Sequence, residues 1–120
     1  MNIGDIYSLT HIVSPDETAE ILGSGGLPVY STPSMICLME LTAYKLAEKK
    51  GYQTVGTKVN ISHLKASKVG TELTSVAEVL EFEGRRLLYK VTVTDEAGLV
   101  GEGTHERFII DPERFMAKLK

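Results

Sequence analysis

Three side chains between residues 32 and 63 have the types and spacing for acid–base chemistry. Glu40 carries the one formal charge at neutral pH between Ile21 and Tyr44. A carboxylate removed from water is costly to ionise unless a partner offsets the loss, and a base that works near neutrality is made this way. His63 closes an alternating segment in which Val55, Thr57, Val59 and Ile61 share its phase. An imidazole on such a face is either a hydrogen-bonded core residue or a proton carrier. Thr32 precedes Glu40 at the start of the same segment, where its hydroxyl suits a helix N-cap. It can also hydrogen-bond a carboxylate or a ligand, but without an adjacent base it is no nucleophile. If the strand bearing His63 packs on the helix bearing Glu40, an acid and an imidazole converge on one site.

The elements that must position them can be read from periodicity. Thr32-Pro33 opens a helix running to about Lys50, with Pro at a first-turn position that needs no N–H. Met35, Met39, Ala43 and Leu46 recur on one face, and Cys37 and Leu41 lie on the opposite one. A helix apolar nearly all round is enclosed rather than laid on a surface, so Cys37 is expected to be a small buried filler. Gly51 stops the helix and the period changes to two.

Strands are expected over Ile6–Val13, from Val55 to His63, over Leu73–Phe82, over Leu87–Thr94 and over Leu99–Ile110. Ser14-Pro15-Asp16-Glu17 starts a short helix that ends at Gly23, and Gly23-Ser24-Gly25-Gly26 is a flexible connection or a lid. Glu83-Gly84 is a hairpin signal, and Gly101 and Gly103 share one face, where something approaches closely. His105 and Glu106 fall on opposite faces of the last strand, and His105 is expected to be structural. Asp111-Pro112-Glu113 starts a terminal helix, with Phe115 and Leu119 expected to dock it back. The order is α+β: five antiparallel strands around one buried helix, which a two-fold partner would cover fully.

Composition narrows the function classes. One domain is expected for 120 residues, and 42% hydrophobic with 24% charged residues is ordinary for a folded protein. A net charge of −3 without a basic block gives no reason to expect nucleic acid. A single cysteine rules out an internal disulfide, fits a reducing compartment and suggests the cytoplasm, since no basic n-region with an apolar run opens the chain. No run spans a bilayer, and no Cys/His set has metal-ligand spacing, so neither a membrane nor a metal is expected.

The set "TPSMICLMELTA", "VGTKVNISHLKASKVG", "EGRRLLYKVTV" and "GEGTHERFII" resembles the hotdog-fold thioesterases, and within them the fluoroacetyl-CoA thioesterase-like family, over nearly the whole chain. The resemblance implies a hotdog fold, a homodimer and hydrolysis of a short-chain acyl-CoA thioester, with CoA as part of the substrate and no resident cofactor. It matches Thr32, Glu40 and His63 to the family's catalytic positions, and Gly56 and Arg107 to its substrate-contacting positions. Glu40 would attack the carbonyl or activate a water, His63 would act as general acid/base, and N–H groups at the helix start would stabilise the oxyanion. The Gly-rich stretch before Thr32 and Pro33 itself depart from the fluoroacetyl-CoA enzyme, so fluoroacetyl preference does not follow. The competing readings are a non-catalytic acyl or small-ligand binding protein and a hotdog enoyl hydratase.

Overall fold

The computed structural model describes residues 1–119 as β1 (Ile6–Ile12), a 3-10 turn (Pro15–Glu17), α1 (Ala19–Leu22), α2 (Thr32–Lys49), β2 (Gln53–His63), β3 (Glu72–Glu83), β4 (Arg86–Asp95), β5 (Gly98–Ile110) and α3 (Pro112–Ala117). The five strands form one antiparallel sheet in the order β1-β3-β4-β5-β2, curved around α2. β3, β4 and β5 follow one another through tight turns. β2 instead closes the far edge by pairing with β5, and the segment from His63 to Glu72 returns the chain to the interior of the sheet. This is the hotdog arrangement. No helix of the described residues is long and apolar enough to cross a membrane.

The core follows the two periodicities. Met35, Met39, Ala43 and Leu46 of α2 are all buried, as are Leu87, Tyr89, Val91 and Val93 on the inner face of β4. Burying each of these larger side chains contributes about 1.5–3 kcal/mol. Thr42, fully buried in α2, donates to the Leu38 carbonyl at 2.7 Å and accepts from Ser75 of β3 at 2.8 Å. A polar pair in a dry core is thereby satisfied on both sides.

Several local expectations need correction. Ser31, not Thr32, caps α2: its Oγ accepts from the Ser34 N–H at 3.2 Å, and Thr32 becomes the first helical residue. Ser14 and Glu17 do form a capping box, but it opens a single 3-10 turn, with α1 following as a separate turn closed by Gly23 at φ +80°. Leu119 is 59% exposed and does not dock, and α3 buries none of its residues. In the single chain Cys37 is exposed and Leu41 is 42% exposed, so the outer face of α2 is open rather than filled.

The most consequential departure lies in β2. Gly56 pairs with Arg107 and Lys58 with Glu106, which leaves Thr57 as an extra residue, a β-bulge. The bulge reverses the alternation. Thr57 points to the outer face, where its hydroxyl bonds the Glu106 carboxylate at 2.7 Å, and Gly56 turns toward α2. Strict alternation would have put Gly56 and His63 on opposite faces.

Gly101 and Gly103 are indeed points of close approach. A Cβ at Gly101 would lie 2.5 Å from the Met35 sulfur, and one at Gly103 would overlap the Asn60 carbonyl oxygen of β2. Gly103→Ala is therefore expected to part the β2–β5 ladder and cost about 1–3 kcal/mol. Gly26→Ala, with open space around the added carbon, is expected to leave the melting midpoint unchanged. Calorimetry on the two variants checks this.

Candidate active site

The polar groups of interest form two clusters along α2. The first is at its start. Thr32 Oγ1 and His63 Nδ1 lie 2.8 Å apart, joining the first turn of α2 to the last residue of β2. Among the described residues the other ring nitrogen, Nε2, is buried without a hydrogen-bond partner. The ring rests edge-on against Tyr30, whose hydroxyl donates to the Ser34 carbonyl. A groove of about 260 Å³ opens here, walled by Tyr30, Ser31, Thr32, His63, Leu64 and Lys65. A larger cleft, of about 580 Å³, runs past Gly70, Glu72, Asp95 and Glu96 and shares no residue with either cluster.

The hydrogen-bond inventory of the first turn is nearly spent. The Ser31 N–H donates to the Glu17 carbonyl, Pro33 has none, Ser34 is capped, and Met35 donates to the Ser31 carbonyl. Among the described residues this leaves the Thr32 N–H as the free donor of that turn. The expectation of several helix N–H groups facing an oxyanion narrows to one.

The second cluster gathers around Glu40, two turns along α2. Its Oε2 lies 3.7 Å from Arg107 Nη1 and 4.0 Å from His105 Nε2. Gly56 lies against the carboxylate: a Cβ there would stand 2.8 Å from Oε2, 3.2 Å from Arg107 Nη1 and 3.2 Å from His105 Cε1. The Glu40 side chain is 42% exposed in the single chain, whereas Arg107 and His105 are buried beneath it. Of the settings open to Glu40, an apolar pocket or a basic partner, the structure supplies the partner, the Arg107 guanidinium.

Thr32 and Glu40 are separated by roughly 12 Å along the helix axis, at about 1.5 Å of rise per residue. Gly56 and His63 stand about 23 Å apart along β2, at about 3.3 Å per residue. Among the described residues no hydrogen bond or ion pair joins Glu40 to His63. The structure thus brings together Thr32 with His63, and Glu40 with Gly56 and Arg107, as separate groups in one chain. The sequence reading gave His105 no part in the Glu40 cluster; the only signal for one was its position two residues before Arg107 on the same strand face. His11 is spoken for elsewhere: its Nε2 bonds the Glu17 carboxylate at 2.8 Å.

Comparison with known proteins decides the family. The model of the fluoroacetyl-CoA-specific thioesterase family matches residues 13–113. The chain belongs to the fluoroacetyl-CoA-specific thioesterase family. This family is one of thioester hydrolases. The fluoroacetyl-CoA thioesterase of Streptantibioticus cattleyicolor is 31% identical over 100% of this chain and 93% of its own length. A solved point mutant of the fluoroacetyl-CoA-specific thioesterase in complex with fluoroacetate and CoA superposes with a TM-score of 0.89 at 30% identity, covering 96% of this chain and 99% of that one. A hypothetical protein of Thermus thermophilus, described as a thioesterase superfamily member, superposes with a TM-score of 0.87 at 28% identity, over 97% of this chain and 88% of its own.

Both site imidazoles are held toward their neutral forms. Burial pushes His63 below the ordinary histidine value, with a nearby Lys65 backbone group acting in the opposite sense. Burial likewise lowers His105, and the Arg107 charge adds to it against the Lys58 carbonyl and Glu40. Folding is linked to this neutrality. The contribution is complete above the unfolded imidazole value of about 6.5 and is lost as pH falls toward the lower folded values. Thermal melts taken from about pH 7.5 to 5 should show the midpoint falling, with a shallower fall for His63→Gln. The Glu17, Asp95 and Glu106 carboxylates, lowered by their hydrogen bonds against the cost of burial, lose protons well below this window. Identical slopes for both proteins would contradict the assignment.

Proposed function

We propose that the protein hydrolyses a short-chain acyl-CoA thioester to the free acid and CoA, in a site shared between two copies of the chain. The observation that carries this reading is the pairing of an ion-paired carboxylate at Gly56 with a Thr32–His63 pair whose Nε2 has no partner. The first supplies a base or nucleophile and the second a proton carrier.

The free edge of the sheet supports the shared site. β2 is an edge strand, Val59 and Leu64 on it and beyond it are 42% and 58% exposed, and Cys37 and Leu41 leave α2 open beside it. Edge strands with such surfaces are usually covered. An antiparallel two-fold passing through Asn60 sets Gly56 of one copy across from His63 of the second, because with Thr57 as the extra residue both lie three pairs from the axis. Glu40 of one copy then approaches the Thr32–His63 pair of the other. This covers the apolar surface and completes the chemistry in one step.

Within such a site the roles follow from chemistry. Glu40, beside Arg107, attacks the thioester carbonyl or removes a proton from the attacking water. The Thr32 N–H lies at the positive end of α2, where developing oxyanion charge is stabilised. His63, neutral and with its ring held by Thr32, takes up the proton released by the attacking water and passes it to the departing sulfur. The C–S bond breaks, water supplies the new C–O bond, and the free thiol carries the proton away. The groove of about 260 Å³ lies below the range of about 300–1,000 Å³ for drug-sized ligands and suits a short acyl group.

Thiol release from a panel of acyl-CoA substrates tests the proposal. Release above background is expected for short acyl groups, with Glu40→Gln and His63→Asn each lowering kcat/KM by about 100-fold or more. A Glu40→Gln protein that keeps its fold and full rate would remove the mechanism. Tight binding without release would indicate a binding protein, and loss of enoyl absorbance without thiol a hydratase. Gly56→Ala, which thrusts a methyl group onto the Glu40 carboxylate, is expected to reduce kcat by about 10-fold or more while the chain stays folded.

A further inference from the structure

His105 is 1% exposed, sits beneath the Glu40 cluster and has no path to a substrate. Its hydrogen bonds nevertheless run toward the reacting carboxylate. Nδ1 lies 2.9 Å from the Lys58 carbonyl, which can only accept, so the proton is on Nδ1. Nε2 lies 3.1 Å from Arg107 Nη1, and a guanidinium can only donate, so Nε2 carries a bare lone pair. Both ends demand the same neutral tautomer. A proton on Nε2 would set two cationic N–H groups against each other in a dry setting.

Arg107 is anchored through two of its other nitrogens. Nε donates to Thr54 Oγ1 at 2.8 Å and Nη2 to the Thr54 carbonyl at 3.0 Å, and the guanidinium lies 5.8 Å from the Tyr44 ring centre. Nη1 is what remains, and it is shared between His105 Nε2 and the Glu40 carboxylate at 3.7 Å. The Lys58 carbonyl belongs to the residue after the Thr57 bulge, the same irregularity that turns Gly56 toward Glu40. A continuous chain therefore leads from the bulge through His105 and Arg107 to Glu40.

We propose that His105 is a positioning residue: as a neutral Nδ1–H imidazole it anchors the β2 bulge and accepts from Arg107, and so aims the guanidinium at the Glu40 carboxylate. This rests on the hydrolytic reading above, in which Glu40 acts as an anion. The other ionisable groups facing the pair are Tyr44 of α2, Tyr89 of β4 and Glu106 of β5. Tyr89 stacks against the His105 ring, its centre 6.4 Å away. Its hydroxyl, pushed up to about 12 by burial against the pull of Arg107, stays neutral. Glu106 is engaged on the outer face by Thr57 and Arg86.

The experiment has three readings on one protein series. Nitrogen-15 NMR of the unmodified protein at pH 7 should show His105 protonated on Nδ1 and bare on Nε2; the opposite tautomer or an imidazolium overturns the proposal without any variant. His105→Phe, which keeps a ring but has no acceptor, should lower kcat by about 10- to 100-fold with KM within about twofold. His105→Gln, which offers both an acceptor and a donor, should recover much of the rate. If His105→Phe folds and keeps kcat, the proposal fails. If it does not fold, the tautomer and His105→Gln decide. Combined with Arg107→Lys, His105→Phe should add little further loss, whereas additive losses would mean the two residues act independently. Glu40→Gln separates the two levels. Full activity in that variant removes the hydrolytic reading, while loss of activity there with an unchanged kcat in His105→Phe removes only this inference.

Discussion

The site depends on how closely one helix can approach one sheet. At Gly56 the sheet has no side chain, and the Glu40 carboxylate fills the space a methyl group would take. At Gly101 the same absence lets the Met35 thioether lie on the backbone of β5. These contacts set the height of α2 above β2 and β5 near its start and its middle. The rest of the helix face, Met39, Ala43 and Leu46, packs on strands that impose no such demand. The carboxylate lies near the backbone of β2, with Arg107 and His105 on its buried side.

The bulge at Thr57 is the second half of that constraint. If Thr57 took a regular place in the ladder instead of bulging, Gly56 would face away from the helix. The extra residue restores a common facing for Gly56 and His63 although their numbers differ by an odd count. It also leaves the Lys58 carbonyl to be taken up by His105. The irregularity places a small residue, a buried imidazole and an arginine around one carboxylate. Bulges beside active sites commonly re-aim side chains in this way.

Much of this could be seen in the chain before any coordinates. Leu87, Tyr89, Val91 and Val93 alternate without interruption and are all buried. The apolar face of α2 obeys its period, Glu17 closes its capping box, and Gly101 and Gly103 are where backbones crowd. What escaped has physical reasons. Ser31 and Thr32 are adjacent residues with equivalent hydroxyls, and only backbone geometry decides which one caps. A bulge leaves no trace in hydropathy, so simple alternation placed Val55 and Thr57 on the wrong side. Leu119 is apolar but follows a helix of six residues with nothing beneath it. The role of His105 depends on a contact with Lys58, 47 positions away in sequence. Glu40 and His63 lie on elements that pack together, as expected, but at different ends of the contact.

That separation is the point on which the functional account turns: two half-sites in each chain, completed across a two-fold axis. Mixing inactive variants tests it directly. Glu40→Gln chains and His63→Ala chains, unfolded and refolded together in equal amounts, give homodimers with a lesion in every site and heterodimers in which one of two sites is intact. Random pairing makes half the dimers mixed, so the account predicts recovery of about a quarter of the wild-type thioesterase rate. If each active site were built within a single chain, every site in the mixture would keep one lesion. No recovery above the separate variants, with mixed dimers demonstrated in the sample, would contradict the account.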